Sequence, residues 1–317
     1  MPTTIPTTTS TTRPGSPSTG DAYFETDTKN YIIYDGSNWY VYNYDETTAF
    51  SNTLSLNFDG NDDLITNFQA PATTTFSVSL WLKSTDTTSN FAFFDDSPTG
   101  GGQGSFQAIS PSNTKSFYII LKNGSTYNLK NGVGGTNATL DLRDGLWHHL
   151  AVTINGTSLK IYKDGGDAAI NSGSPSNNQG TPFVSETTTT SNSWSSNVGM
   201  AGNTGTNYVI GSQGYTSTSY HFNGVLDEVA FFSTELTGAN VSAIYNSGVP
   251  NDVGVQGLNL SPIAYFRMGD GASDTDSSGI AASNGQSVGT VTSIVGGYTG
   301  TQSTTSRKPT YSNDVPS

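Results

Sequence analysis

Apolar residues occupy every second position in several short stretches between residues 50 and 250. Residues 54–58 are Leu-Ser-Leu-Asn-Phe, and residues 76–80 are Phe-Ser-Val-Ser-Leu. A period of two is typical of a strand that buries one face. Many such strands, separated by turn-forming residues, predict an all-β protein built as an antiparallel β-sandwich or a barrel. Only residues 238–246 have helical spacing, with Gly248 as a stop signal.

The chain divides by composition into four regions. Residues 1–20 are rich in Pro and Thr and predict an extended docking arm, because they cannot bury a core of their own. Residues 21–48 hold three short apolar runs and predict a small three-stranded β module. Residues 49–290 hold the sandwich, including a strand added from the C-terminal side. Residues 291–317 are expected to form an extended C-terminal tail.

Charge and composition exclude several classes of partner. The net charge is −13, whereas binding to nucleic acid requires clustered Lys and Arg. No apolar run approaches the ~18 residues of a membrane span. The chain has no cysteine, which excludes disulfides and thiolate metal sites. We therefore expect neither nucleic-acid binding nor insertion into a membrane.

Three motifs in the main region resemble those of one β-sandwich family. Residues 56–63 (LNFDGNDD) are similar to an opening L-x-F-D-G-x-D-D motif. Residues 146–165 contain LWHHLAVT and then LKIYKDG, and residues 222–231 are FNGVLDEVAF. In order and spacing these segments resemble the laminin-G-like, concanavalin A-like family of lectins and glucanases. The resemblance covers residues 50–250 and implies a jelly-roll sandwich.

One segment departs from the usual order of that family. Many members have a motif of the type A-Y-x-x-F-D-x-G, followed by D-S-S-G, ahead of the opening strand. Here the similar residues 264–270 and 276–279 follow the domain. Either the sandwich takes a strand from its C-terminal side, or a second module begins there. Laminin-G-like proteins attributed to marine viruses have the same order, which favours the first alternative.

Residues 13–40 resemble a short element of bacteriophage fibre and structural proteins, in which G-x-x-Y-F-x-T-D-T is followed by Y-D-G-x-x-W. The resemblance implies a virion structural protein, either a capsid-surface decoration or a fibre, located on the virion surface. The N-terminus lacks the basic and apolar regions of a signal peptide, and release by lysis fits that setting. The arm residues expected to contact other virion proteins are Pro2, Ile5, Pro6, Arg13 and Pro14.

The small module also predicts self-association. A unit of about 25 residues is marginal alone, so we expect a homo-oligomer, with a trimer favoured.

Enzymatic chemistry finds little support in the sequence. Glucanases of this fold class place two carboxylates about 5 Å apart on a Glu-x-Asp-x-x-Glu strand. The nearest match begins at Glu25 and Asp27, in the small module, and lacks the last Glu. His148 and His149 are adjacent in a strand and therefore point to opposite faces. We expect no catalytic residue, with Trp147 in the core and one imidazole in a local pair.

Calcium is the ion that the sequence favours, although no cofactor is required by it. Hard cations bind several oxygen ligands at once. The acidic and amide residues near the opening and closing strands are the candidates. Alternatively, residues 59–62 form an ordinary turn in which the side chains bind the backbone. The candidates are Asp59, Asn61, Asp62, Asp63, Asp227 and Glu228.

Aromatic residues in polar loop sequence are candidates for stacking on sugar rings. They could equally fill the core or a subunit contact. Binding of host-surface glycans would suit a virion protein; the alternative is a free or cell-surface lectin that depends on calcium. The candidates are Trp194, Tyr208, Tyr215 and Tyr220.

Overall fold

The computed structural model has two compact units, residues 1–51 and residues 52–317. The structure describes residues 6–27, 30–43, 50–68, 75–88, 91–95, 106–110, 118–123, 126–131, 142–155, 158–167, 208–213, 220–254 and 257–317.

The first unit is a four-stranded sheet in the order β1-β2-β3-β4. The three strands expected from residues 21–48 are present, and the arm adds β1, which runs parallel to β2. Between β3 and β4, the backbone N–H groups of Ser37 and Asn38 donate to Asp35 Oδ1 at 2.7 Å, which closes the turn. The strands are β1 (Thr7–Thr8), β2 (Ala22–Glu25), β3 (Asn30–Tyr34) and β4 (Trp39–Asn43).

The second unit is a β-sandwich. In chain order its strands are β5 (Ser55–Asp59), β6 (Ile65–Phe68), β7 (Thr75–Lys83), β8 (Phe91–Asp95), β9 (Phe106–Ser110), β10 (Tyr118–Asn123), β11 (Thr126–Asn131), β12 (His148–Asn155), β13 (Ser158–Lys163), β14 (Gly166–Asp167), β15 (Tyr208–Ile210), β16 (Asn223–Phe232), β17 (Ala264–Phe266), β18 (Thr275–Asp276), β19 (Val288–Thr292), β20 (Thr299–Thr301) and β21 (Thr310–Ser312).

Two sheets form from these strands within the described residues. A nine-stranded sheet has the order β11-β10-β9-β8-β15-β6-β20-β19-β18, and an eight-stranded sheet has the order β14-β13-β12-β7-β16-β5-β21, with β17 also paired to β16. Leu56 and Leu150 of the eight-stranded sheet share one buried core with Ile65, Phe94 and Val291 of the other. The predicted all-β antiparallel sandwich is confirmed.

The face of the eight-stranded sheet that points away from this core is covered by a short helix. Helix α1 (Gly238–Tyr245) begins at Thr237, whose hydroxyl accepts from Asn240 N, and ends at Asn246 in the left-handed region (φ 45°). It matches the predicted helix to within one residue. Val241 and Ile244 of α1 pack with Phe232 and Tyr265 in a second apolar cluster. Among the described residues, no helix is long and apolar enough to cross a membrane.

The residues beyond 250 are built into the sandwich. β17 pairs with β16, β20 with β6, and β21 with β5. Tyr311 in β21 is buried, and its hydroxyl donates to the carbonyl oxygens of Thr275 and Thr290. Residues 291–317 are therefore not the extended tail expected from their composition. Their strands of three residues are too short to show a periodic pattern, yet they pair with β5 and β6.

Candidate functional site

The strongest candidate site is the turn that follows β5, Asp59 to Asp63, which we call the acidic turn. β5 ends beside the start of β16, where Asn223 pairs with Asp59. Gly60 has φ +79°, and a Cβ there would lie 2.7 Å from Asn223 Cβ. The backbone therefore reverses tightly at a glycine and brings the acidic side chains that flank it together.

One carboxylate oxygen from each of Asp59, Asp62 and Asp63 lies within 4.8 Å of the others. Asp59 Oδ1 accepts the backbone N–H of Asn61 at 2.8 Å, and Asp59 Oδ2 accepts the Asn61 side-chain amide at 3.0 Å. Asp63 Oδ2 accepts the backbone N–H of Asp59 at 2.9 Å. These bonds are those of an ordinary turn, and the three convergent oxygens add the ligand type that a hard cation prefers.

Electrostatics differ among the members of the acidic turn. Asp63 is only 5% exposed; burial first, and then the charges of Asp59 and Asp62, raise its pKa to about 6 despite the backbone hydrogen bond. Burial works to raise the pKa of Asp59, but hydrogen bonds from Asn61 and the nearby charge of His221 outweigh it and lower that pKa. Asp62 is partly neutralised by Arg307, whose Nε lies 4.0 Å from Asp62 Oδ2. A cation would relieve the repulsion around Asp63.

Asp227 and Glu228 do not join the acidic turn, contrary to the sequence-based expectation. Asp59 pairs with Asn223, four residues before Asp227, which at ~3.3 Å per residue puts the carboxylates roughly 13 Å apart along the strand. Among the described residues, the group of three acidic side chains able to share an ion is Asp59, Asp62 and Asp63.

Asp227 and Glu228 instead belong to a buried carboxylate network of Asn52, Asp227, Glu228, Tyr265, Arg267 and Asp270. Glu228 accepts from the Tyr265 hydroxyl and from Arg267 Nε at 3.2 Å. Asp227 accepts from Asn52 Nδ2 at 2.9 Å. Asp227 is 0% and Glu228 is 5% exposed. Because they are buried and their oxygens are already bound, they form a structural network.

The network perturbs both acids strongly. Burial raises the pKa of Glu228 to about 7, with Arg267 and Tyr265 working in the opposite direction. Burial and the neighbouring Glu228 charge raise the pKa of Asp227 well above its usual range. The pairing of β16 with β7 shifts register between Asp227 and Ala230, and Glu228 has φ 48°. This bulge lets two successive acids bind different partners.

The two candidate aromatic residues that the structure describes, Tyr208 and Tyr220, differ in burial. Tyr208 is 3% exposed and stacks on Phe94, with ring centroids 5.2 Å apart, so its ring is in the core and not open to a sugar. Tyr220 is half-buried at the loop before β16. Trp194 and Tyr215 lie outside the described residues. Of the two candidates that the structure describes, Tyr208 is in the core and Tyr220 is partly exposed.

Arm residues of the first unit contact their own sheet. The Arg13 guanidinium pairs with Glu25, whose side chain is 1% exposed. Phe24 N donates to the carbonyl oxygen of Pro6 at 3.0 Å, and Pro14 is half-buried. Pro2 and Ile5 lie outside the described residues. Docking of this arm to other proteins stays a prediction.

His148 and His149 each bind separate partners within the protein. His148 Nδ1 lies 2.9 Å from Asp164 Oδ2, and its Nε2 lies 3.0 Å from Asp144 Oδ1. His149 is buried, its Nε2 lies 2.8 Å from Ser79 Oγ, and burial lowers its pKa to about 4. Adjacent residues in β12 thus face opposite environments, as expected.

Trp147 was expected in the core and is instead half-exposed. Its indole Nε1–H donates to Asp314 Oδ1 at 2.9 Å. Lys83 Nζ lies 2.7 Å from Asp314 Oδ2. This contact joins residues 231 positions apart, and no local sequence signal predicts it.

Comparisons with known proteins agree with this architecture. Residues 58–197 match a family model described as the concanavalin A-like lectin/glucanases superfamily. A candidate carbohydrate-binding protein of Bacteroides ovatus is 14% identical, with a TM-score of 0.50 over 95% of this chain and 71% of that one. No curated protein is significantly similar in sequence.

Two further solved structures are more distant. A heptameric pentraxin of Limulus polyphemus is 14% identical, with a TM-score of 0.40 over 61% of this chain and 82% of that one. A carbohydrate-binding module of a Ruminococcus gnavus sialidase, bound to sialyllactose, is 12% identical, with a TM-score of 0.41 over 60% of this chain and 96% of that one. Residues 58–197 are thus similar in sequence to the concanavalin A-like lectin/glucanases superfamily, and the second unit has the fold of a β-sandwich.

Proposed function

We propose that this chain is a non-enzymatic glycan-binding protein and that its sandwich presents the ligand-binding loops. The observation that carries the proposal is the acidic turn at the end of β5, in a domain of lectin-like fold. Three convergent carboxylate oxygens can hold a calcium ion, and a bound calcium offers coordination positions to sugar hydroxyls. Tyr220 supplies a half-buried aromatic ring at the nearby loop before β16.

Calcium binding at the acidic turn is part of this proposal. Asp59, Asp62 and Asp63 would supply the carboxylate ligands, with Asn61 in the same turn. The pKa of Asp63, which burial and the charges of Asp59 and Asp62 raise to about 6, supports a site where negative charge accumulates. Asp227 and Glu228 are excluded from this role because their oxygens are bound within the buried network.

A glycan array tests the proposal directly. The whole chain is applied with calcium and then with a chelator, and we expect retention on at least one class of glycan that falls when calcium is removed. Asp62→Asn should weaken calcium binding at least tenfold, whereas Asp252→Asn, which makes the same charge change elsewhere in the unit, should not. The absence of any retained glycan in either buffer would refute glycan binding. Retention that ignores calcium would refute the metal's role only.

We further propose that the chain is displayed on a virion, as a capsid-surface decoration or a fibre. The support is the resemblance of residues 13–40 to a phage structural element. In this setting the first unit contacts other virion proteins and self-associates, with a trimer favoured, while the sandwich faces the host surface. Mass spectrometry of purified particles should find this polypeptide, and light scattering should find an oligomer. Particles without it would refute the virion role.

The second candidate is a free or cell-surface calcium-dependent lectin. The acidic turn favours it equally, because that turn needs no particle. The two roles separate on location: a lectin of this kind is found in the medium or on cells and is absent from particles.

A further inference from the structure

Residues 313–317 follow β21, the edge strand of the eight-stranded sheet, and we call them the strap. β21 ends at Ser312, and the hydroxyl of Ser55 donates to the carbonyl oxygen of Asp314 at 2.7 Å. The backbone N–H of Asp314 donates to Ser312 Oγ at 3.1 Å. Pro316 is buried. The strap is therefore held in place by backbone contacts that do not involve its acidic side chain.

The Asp314 carboxylate lies between two donors. Lys83 Nζ is 3.0 Å from Oδ1 and 2.7 Å from Oδ2, and Trp147 Nε1 donates to Oδ1 at 2.9 Å. Leu82 is in the core and pairs with His148, so Lys83 and Trp147 lie opposite each other, one position further along. Strand alternation turns Lys83 away from the core. An ammonium and an indole N–H thus converge on one carboxylate.

This contact is exposed enough to be exchanged. The Asp314 side chain is 42% exposed and that of Lys83 is 31% exposed. Exposed ion pairs contribute little to stability because water screens both charges. A competing carboxylate could therefore replace Asp314 at these donors without breaking the sandwich.

The surroundings suit a sugar that carries the carboxylate. Trp147 is partly exposed, and an aromatic ring beside a polar group is a common surface for a sugar ring to stack on. Leu146 beside it is 62% exposed. The whole chain has 12 Lys and Arg residues against 25 Asp and Glu. In a protein of this charge, a cation and an aromatic N–H that both face one carboxylate form a distinct site for an acidic group.

We propose that Lys83 and Trp147 form a binding site for an acidic sugar, and that Asp314 of the strap occupies this site until such a sugar displaces it. The inference rests on the proposed glycan-binding function and names the ligand class as a uronic-acid type of sugar. The strap reduces the apparent affinity, since only the fraction of molecules with an open site can bind.

The test uses the whole chain and a matched pair of probes, glucuronate and glucose, which share a ring and differ in the carboxylate. Binding is followed by NMR through the Trp147 indole N–H peak, assigned by its loss in Trp147→Phe. Asp314→Ala should bind glucuronate with a Kd at least about tenfold lower than the unmodified chain. Glucose should leave the peak unmoved, and adding Lys83→Met should abolish the gain.

Two controls make the result specific. Glu235→Ala removes another carboxylate paired with a lysine at 2.7 Å, that of Lys160, with the same change in net charge, and it should give no gain. Asp314→Asn repeats the test with little change in shape, should Asp314→Ala disturb the fold. No gain in either Asp314 variant, an equal gain in Glu235→Ala, or an equal response to acetate would overturn the proposal. If the glycan array retains neutral glycans equally in all variants, only the strap proposal is refuted. If the array retains no glycan, the proposed glycan-binding function is itself refuted.

Discussion

The acidic turn and the buried carboxylate network both consist largely of carboxylate side chains, but the two groups differ in their exposure and in their partners. In the acidic turn, Asp59 binds Asn61 two residues away, Asp62 pairs with Arg307, and both acidic side chains are at least partly exposed. In the network, Asp227 and Glu228 are buried and bind residues 175 and 39 positions away. The comparison teaches that exposure, more than nearness to a strand end, separates acidic groups that a ligand can reach from those that belong to the interior.

The largest effect should come from removing the cation of the buried network. Arg267→Met leaves Glu228 buried without its cation, and we expect a loss of about 3 kcal/mol in the free energy of unfolding. Urea denaturation monitored by circular dichroism measures it. The control is Lys160→Met, which breaks the exposed pair with Glu235 and should cost less than about 1 kcal/mol. Equal losses in the two variants would contradict the contrast between buried and exposed acids.

The next effect is a loss of stability as pH rises. Folding raises the pKa of Glu228 to about 7 and that of Asp63 and Asp274 to about 6. The folded state therefore binds more protons than the unfolded state between pH ~4 and ~7, and stability falls across that window. Each group that is protonated in the folded state and ionised in the unfolded state contributes a slope of up to ~1.4 kcal/mol per pH unit. Denaturation at pH 5 and pH 8 should show higher stability at pH 5.

Glu228→Gln is the check on that assignment. It removes the titration of one buried acid while keeping an oxygen that can accept from Tyr265, so the pH slope between 5 and 8 should become shallower. Asp144 and Asp164 stay ionised throughout this window. Burial works to raise their pKa values, but His148 and backbone hydrogen bonds outweigh burial and lower them. A slope that is unchanged by Glu228→Gln would assign it to other groups.

A smaller effect is expected at the acidic turn itself. Asp59→Ala removes the acceptor of both Asn61 hydrogen bonds, and in calcium-free buffer it should cost about 1 kcal/mol. The measurement is the same urea titration.

Asp62→Asn should have the smallest effect in calcium-free buffer, within ~0.5 kcal/mol, because this side chain is partly exposed and its ion pair with Arg307 is long, at 4.0 Å. With calcium at 100 times its Kd, the unmodified chain should gain about 2.7 kcal/mol, and this gain should largely vanish in Asp62→Asn. An undiminished gain in the variant would place calcium elsewhere.

Local sequence patterns predict most of the fold. The alternation at residues 54–58 and 76–80 corresponds to β5 and β7, and the helical spacing of residues 238–246 corresponds to α1, which ends at Asn246, two residues before the expected stop at Gly248. The acidic turn was visible for the same reason, since Gly60 and its neighbours are contiguous. Strands of three residues, such as β20 and β21, carry no measurable period, and β6 and β5, with which they pair, lie more than 200 residues earlier.

The environment of a candidate residue was predicted wrongly where the residue that contacts it is distant in sequence. Tyr208 lies in a polar context in sequence but is buried by Phe94. Trp147 follows a family motif and was expected in the core, yet its partner Asp314 is 167 residues away. Asp227 was judged by its nearness to a strand end, while Arg267 and Asn52 determine its environment. Long-range pairing decides burial, and burial decides whether a polar group can meet a ligand.

The pairing of β21 with β5 has a consequence for biosynthesis. Ser55 bonds to the carbonyl oxygen of Ser312, 257 residues later, and translation proceeds at roughly 5 to 20 residues per second. The ribosome therefore needs about 13 to 50 s to make the partner of β5 after β5 itself. Throughout that interval the edge of β5 that will pair with β21 has unpaired backbone N–H and C=O groups. Such an edge can pair with a strand of another nascent chain, which favours aggregation on a polysome.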